Sequence, residues 1–399
     1  MSSSQAPTIE LVFEPTLKLP DEVLNGIVQL RFPNLTNDKI EEVHVKLRGT
    51  AYTEISRAVG TSAMVFTQRI HLAKENISLW SSSNSDYRPP GSDILKIPFT
   101  FTLPSTLLPS FDFGGISAGE RVRIRYAIEV VGRRPGRLRR NLRIIMPFPV
   151  LPPLSLGAEL REAFQSGWNG PWRSTVEKKS IRKGLWGEYS DVAMTFTLPE
   201  VEALPVFAPI PFTLTLVTHS KLMKRSEKSE DGTIFPTPPL DPRAIELKLT
   251  SDVWIKTDGM DYTCRDKTVT HLGGFGSQES SSGPVAGAVV GPLKKVWVPA
   301  EGEKSSEKGR WKQEVAFASS MRFSCAPSFT SETVKLSYKL KLKVDYAGVG
   351  NSHTAEVPVQ IVSSMYPIGE RAWDGPPPEF ELPPNYFEGT WEDDPNEKE

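Results

Sequence analysis

Polar and apolar residues alternate with a period of two through much of the chain. The clearest run sets Val122, Ile124, Tyr126, Ile128 and Val130 between Arg121, Arg123, Arg125, Ala127 and Glu129. Successive side chains of an extended strand point to opposite faces, so this pattern predicts a β-strand with one apolar and one basic face. About two hundred residues later Val334, Leu336, Tyr338, Leu340, Leu342 and Val344 alternate with Lys335, Ser337, Lys339, Lys341 and Lys343, as if the same strand came in a second copy.

A duplicated domain should repeat the order of its pieces, and the order does recur. Ile40–Leu47 is echoed by Ala244–Leu249, and each is followed by an aromatic, Tyr52 or Trp254. Ahead of each lies a proline-punctuated stretch, Leu11–Phe32 or Met194–Val217. Pro98–Pro104 precedes the first long alternating strand and Ala316–Phe323 the second; Leu142–Ile145 and Thr354–Ile361 follow them. The repeat is one of pattern rather than identity. Helical periodicity is confined to Leu160–Phe164, between the halves.

Punctuation and length support the same picture. The 35 prolines and 29 glycines are spread between short β-branched and aromatic runs, which suits many strands joined by turns. A chain of 399 residues exceeds what one core organises. The expected organisation is a β-sandwich over 1–150, an irregular proline-rich interdomain connection over 151–185, a second sandwich over 186–364, and a disordered acidic tail over 365–399. Lys221–Glu230 and Gly273–Gly291 read as long loops of the second sandwich. No run of about 18 apolar residues occurs and the amino terminus has no secretory pattern, so a cytoplasmic protein is expected.

Charge narrows the partners. Lys+Arg 47 against Asp+Glu 48 gives a formal net charge of −1, which offers no global attraction for nucleic acid, so electrostatic recognition has to be local. The local candidate is arginine. Arg121, Arg123 and Arg125 are followed by Arg133, Arg134, Arg137, Arg139, Arg140 and Arg143, and a hairpin through Gly132–Gly136 would gather the last six at one end of the first domain. Arginine forks bind phosphate bidentately, so a phosphorylated protein tail or a phosphoinositide headgroup, with peripheral membrane association, is a candidate ligand. The plainer reading is a solvated outer face neutralised by carboxylates.

Catalytic and metal signatures are not found. The chain carries no phosphate loop, nucleophile elbow, zinc-protease helix or dinucleotide fingerprint, and its five histidines have no ligand spacing. No cofactor, metal or catalytic residue is therefore expected. Cys264 and Cys325 are too few for a zinc site or a disulfide framework.

The tail carries the sharpest motif. Pro383-Pro384-Asn385-Tyr386 fits the Pro-Pro-x-Tyr ligand of WW domains: the prolines are preset in the polyproline II conformation, and Tyr386 fills an adjoining pocket. Burying such a ring is worth roughly 1.5–3 kcal/mol. Pro376-Pro377-Pro378-Glu379-Phe380 is a near miss with phenylalanine in the tyrosine place. The alternative is a tail that packs Tyr386 and Phe387 on a neighbouring sheet. From Glu379 to Glu399 the tail holds eight acids against one lysine, so it is also a candidate to lie on the arginines in cis.

Taken in order, the Ile9-Glu10-Leu11 strand, Leu24–Val28, the Val43–Thr50 strand with Gly49, the phrase Pro98–Pro104 leading through Ser105–Phe111 into Arg125-Tyr126, and the closing Pro-Pro-x-Tyr resemble the fungal α-arrestins, the arrestin-related trafficking adaptors. The resemblance implies two tandem immunoglobulin-like, arrestin-type β-sandwiches and a non-enzymatic adaptor. It further implies a membrane transporter or receptor as cargo, a WW-domain HECT ubiquitin ligase recruited through Pro383, Pro384 and Tyr386, and cargo ubiquitination and endocytosis at the plasma membrane or endosomes. The rival on the same fold is a retromer-type sorting subunit, which needs no WW ligand.

Overall fold

The computed structural model describes residues 6–59, 62–84, 92–115, 119–136, 140–184, 187–227, 232–276, 287–300, 307–348, 350–371, 373, 378, 380–382 and 386–387. Nearly all regular structure is extended. The first half supplies β1 (Ile9–Val12), β2 (Val23–Arg31), β3 (Glu42–Val59), β4 (Ser62–Ser81), β5 (Ile94–Thr102), β6 (Phe111–Gly114), β7 (Glu120–Arg133) and β8 (Leu142–Phe148). The second half supplies β9 (Trp172–Arg182), β10 (Tyr189–Pro199), β11 (Leu204–Pro205), β12 (Ile210–His219), β13 (Met223–Lys224), β14 (Ile245–Thr257) and β15 (Met260–His271). It continues with β16 (Val289–Val290), β17 (Lys294–Pro299), β18 (Lys308–Met321), β19 (Phe329–Thr330), β20 (Val334–Asp345), β21 (Ser352–Val359) and β22 (Ile361–Val362).

The expected duplication is present as topology. One sheet of the first half runs β4-β3-β7-β6, with β8 taking over from β6 along the same edge of β7. In the second half the order is β15-β14-β20-β19, with β21 taking over from β19 along β20. The facing sheets match as well, β1-β2-β5 against β10-β12-β18, the latter widened by β9 on one edge and by β16 and β17 on the other, while β13 continues the line of β12 along β18. Pairs of sheets packed face to face in this way make two sandwiches, as the alternation predicts. The apolar positions of β7 and β20 line the cores: Val122, Ile124, Tyr126, Ile128 and Val130 are buried in one, Val334 through Val344 at every second position in the other. The other face of β7 is not the exposed basic surface the pattern suggested, because Arg125 and Glu129 are buried as well.

Two elements were not legible. α1 (Phe32–Asp38) begins with Pro33 in its first turn, where the missing N–H costs nothing, in a stretch for which the pattern predicted no element. β9 lies inside the stretch expected to be irregular connection, yet pairs with β10 along eleven residues. It is an edge strand in which only Ile181 is buried, so it has no apolar period to reveal it. The helix expected around Leu160–Phe164 is α2 (Ser155–Gln165). At Gly157 a Cβ would stand 1.9 Å from the Ser363 carbonyl oxygen, so only glycine lets α2 approach the end of the second sandwich this closely. No helix among the described residues is long and apolar enough to cross a membrane.

The sandwiches touch through the long β3–β4 hairpin and the β6 region. The Thr53 hydroxyl donates to the Lys256 carbonyl at 2.8 Å, and the Arg57 guanidinium lies 4.3 Å from the Tyr262 ring centre. Phe111 meets Phe329 edge-on at 5.8 Å, and the Lys267 ammonium sits 4.3 Å over Phe113.

Much of 365–399 lies outside the described residues, and several of the described ones lie against the body. The Leu154 N–H donates to the Met365 carbonyl at 2.8 Å and Arg371 pairs with Glu162 of α2 at 3.0 Å. Trp373 stacks 4.0 Å from the Arg161 guanidinium and meets Phe207 edge-on, and Phe380 packs on the same Phe207 at 6.4 Å. The Glu381 N–H donates to the Ser324 carbonyl, after which Tyr386 enters the first sandwich. Too proline-rich and acidic to build a core of its own, the segment instead fits isolated aromatic anchors into cores already made, which composition does not disclose.

Candidate functional site

The site grows from a glycine. At Gly49 of β3 a Cβ would meet the Tyr126 ring at 2.8 Å, so the bare backbone there makes room for a large aromatic on the neighbouring β7. Tyr126 is fully buried, and its hydroxyl donates to the Leu108 carbonyl at 2.7 Å, which pins the loop ahead of β6. Two residues on, Ser110 is held in the interior by accepting the Val150 N–H at 2.8 Å. The β7–β8 ladder ends where Tyr126 faces Phe148, so Ser110, the Tyr126 N–H and the Phe148 carbonyl converge on one spot.

Tyr386 fills it. Its side chain is 0 % exposed. The phenol donates to the Phe148 carbonyl at 2.9 Å, accepts from the Tyr126 N–H at 3.3 Å, and lies 2.7 Å from the Ser110 hydroxyl. With the Phe148 carbonyl taking the phenolic proton and Ser110 already accepting from Val150, the serine is the donor in that last contact. A phenol oxygen offers one donor and two acceptor sites, and all are used. Arg125, paired with Asp112 at 2.6 Å, places its guanidinium 5.7 Å from the Tyr386 ring centre. Burial pushes the Tyr386 hydroxyl far above the ordinary phenol range, so it stays protonated and remains a donor.

The structure has Tyr386 packed on the body, the arrangement the sequence offered as the alternative to a free WW ligand. Tyr386 is in the interior of the first sandwich, where its hydroxyl has three polar partners; of the pair, Phe387 stays outside, 44 % exposed, with its ring centre 5.1 Å from that of Tyr386. Pro383 and Pro384 lie outside the described residues. The near-miss Phe380 takes a purely apolar seat on Phe207.

The arginine cluster is largely met by carboxylates. Arg133 pairs with Glu42 at 3.0 Å, Arg134 with Asp38 at 3.4 Å, and Arg143 with the buried Glu129 at 3.5 Å, where Arg48 also binds. Arg140 is exposed, while Arg137 and Arg139 lie outside the described residues. For the three paired residues this is the neutralised outer face rather than an open phosphate fork. The described acid Glu381 lies at Ser324 of the second sandwich, not on the arginines.

Sequence reasoning missed Ser110, Asp112 and Phe148. Ser110 follows Pro109 in a loop with no periodicity, and the polar work of Phe148 is done by its carbonyl, which no side-chain pattern reports. Arg125 and Tyr126 were singled out, but as parts of a strand.

A search of the curated proteins returned no match. Residues 8–157 match the family model described as Arrestin (or S-antigen), N-terminal domain. That stretch runs from β1 to the start of α2 and contains every residue by which the first sandwich holds Tyr386. Over that stretch the chain is similar to arrestin N-terminal domains, and its second sandwich repeats the strand order of the first.

Proposed function

We propose that the chain is an arrestin-type adaptor that holds a membrane transporter or receptor on its sandwiches and recruits a WW-domain HECT ubiquitin ligase through Pro383, Pro384 and Tyr386, promoting cargo ubiquitination and endocytosis. The arrestin N-terminal match over residues 8–157 carries the adaptor part of this reading. Its ligase part is supported by the Pro-Pro-x-Tyr sequence, whose two prolines lower the ordering cost of docking. A buried Tyr386 adds a condition: the tail has to lift from the first sandwich before the ligase engages it. The retromer-type alternative, which uses no such peptide, draws no support from the motif.

The test is capture on an immobilised WW module of a HECT ligase. A peptide spanning 374–392 is expected to be retained and its Tyr386→Ala form lost. Equal retention of the two removes the ligase from the proposal and leaves the adaptor body.

A further inference from the structure

Tyr386 is the tyrosine of the one Pro-Pro-x-Tyr in the chain, and among the described residues of the tail it is the most completely enclosed side chain. A WW domain recognises that motif by enclosing the same ring. One ring cannot be in both places. We infer that the end of β7 and β8, with Ser110, forms a tyrosine-binding site whose ligand in cis is Tyr386, and that this site and a WW domain compete for that one side chain. The competition rests on the ligase reading above; the pocket does not.

The chemistry of the pocket selects a neutral phenol. Phe148 offers an acceptor, the Tyr126 N–H and the Ser110 hydroxyl offer donors, and one phenol oxygen satisfies all three. A phenylalanine would keep the ring and leave the Phe148 carbonyl, the Tyr126 N–H and the Ser110 proton without the oxygen that now meets them. A phosphotyrosine would bring a charge where the Phe148 carbonyl needs a proton and where the Asp112 carboxylate is a neighbour. The tail itself sorts its rings this way: Phe380 sits against Phe207 with no polar partner for its ring, and Tyr386 takes the polar seat.

Geometry makes the two states exclusive. Two residues of chain span at most about 7 Å, so a domain gripping Pro384 while Tyr386 is in the pocket would have to occupy the wall of the first sandwich. Between Ser324, which holds Glu381, and Ser110, which holds Tyr386, the tail passes from the second sandwich to the first. Withdrawing Tyr386 therefore also releases one link between the sandwiches, which stay in contact through Thr53, Arg57 and Phe111.

The experiment compares affinities of one WW module for the 374–392 peptide, the intact chain, and intact chains carrying Phe380→Ala or Ser110→Ala, each checked for an unchanged fold by circular dichroism. The intact chain is expected to bind at least about tenfold more weakly than the peptide, and both variants to recover part of that factor. In parallel, hydrogen–deuterium exchange is followed in the segments around Ser110, Tyr126 and Phe148. It is expected to rise when the WW module is added to the intact chain, and to rise without it in Tyr386→Phe. A peptide that does not bind overturns the ligase reading and the competition with it, leaving the pocket to be judged by the Tyr386→Phe exchange. A peptide and an intact chain of equal affinity overturn the competition alone. Exchange that is identical in the intact chain and in Tyr386→Phe overturns the pocket.

Discussion

Replacing Tyr386 with phenylalanine removes a single oxygen and keeps the ring, so it isolates the polar half of the tail's attachment. Three buried groups lose their shared partner: the Phe148 carbonyl, the Tyr126 N–H and the Ser110 hydroxyl. A buried group left unsatisfied costs about 1–3 kcal/mol, and a neutral hydrogen bond contributes about 1 kcal/mol net. The Ser110 hydroxyl can turn and the ladder end can tighten, so the loss should sit near 2 kcal/mol, roughly a 30-fold increase in the open population of the tail. Native-state proteolysis reads that population directly while closing is faster than cutting. Chymotrypsin cleaves after tyrosine and phenylalanine alike, so cleavage after residue 386, followed by mass spectrometry, compares both chains on equal terms. Adding Ser110→Ala completes a double-mutant cycle with an expected coupling of about 1 kcal/mol, because the two oxygens share a hydrogen bond. Unchanged cleavage in Tyr386→Phe, or effects that add without coupling, would refute the assignment of the phenol as the strap's polar anchor.

Gly49→Ala should lower the stability of the first sandwich by about 1–3 kcal/mol, since its Cβ would stand 2.8 Å from the Tyr126 ring with the core already full; a denaturant melt no different from the parent contradicts the packing argument. Arg57→Ala strips the partner of the buried Glu120, 2.7 Å away, and the cation over Tyr262, and should cost about 3 kcal/mol. Adding Glu120→Gln should return part of that loss in the same melt; no recovery would show that the ion pair is not its source. Burial first, then the Lys179 ammonium, holds the His353 imidazole below its ordinary value, and burial first, then Lys312, does the same to His219. A histidine lowered in the fold prefers its neutral form there. Its contribution is therefore complete above about pH 6.5, the unfolded value, and is lost as the pH falls through the folded one. The melting temperature should drop between pH 7.5 and 5.5 and drop less in His353→Gln; a profile that rises toward acid would reverse the sign of the argument.

What the sequence disclosed and what it concealed follow from where each interaction lives. The duplication was legible because each half repeats the same apolar rows, and those rows are read directly from the period: Val122–Val130 and Val334–Val344 line two cores, and the strands that flank them recur in the same spatial order. β9 was not legible because an edge strand with one buried residue owes its conformation to the backbone of β10. Whether Tyr386 is a free ligand or packs on the body stayed open in the sequence for the same reason. Of the three groups that bind its hydroxyl, two are main-chain atoms, and the third is a loop serine 276 positions away in sequence.

The motif and the pocket therefore speak different languages. Pro-Pro-x-Tyr is a local statement about what a short peptide can do once free, and it is written in side chains and in the proline ring. Whether the peptide is free is a statement about the ends of two strands, written in carbonyls and amides that every sequence possesses. An adaptor whose ligase signal ends in a tyrosine gains a built-in test of its own state if that tyrosine also satisfies a strand end. Any ligand that disturbs the Ser110 loop, the β7–β8 ladder end or the Phe207 seat weakens the hold on Tyr386 at one of its anchors. On the adaptor reading proposed above, cargo bound near the first sandwich would be coupled to ligase access with no further part required, and by linkage the coupling would be reciprocal: a WW domain that drew Tyr386 out would change the affinity of the same surface for cargo by the same factor.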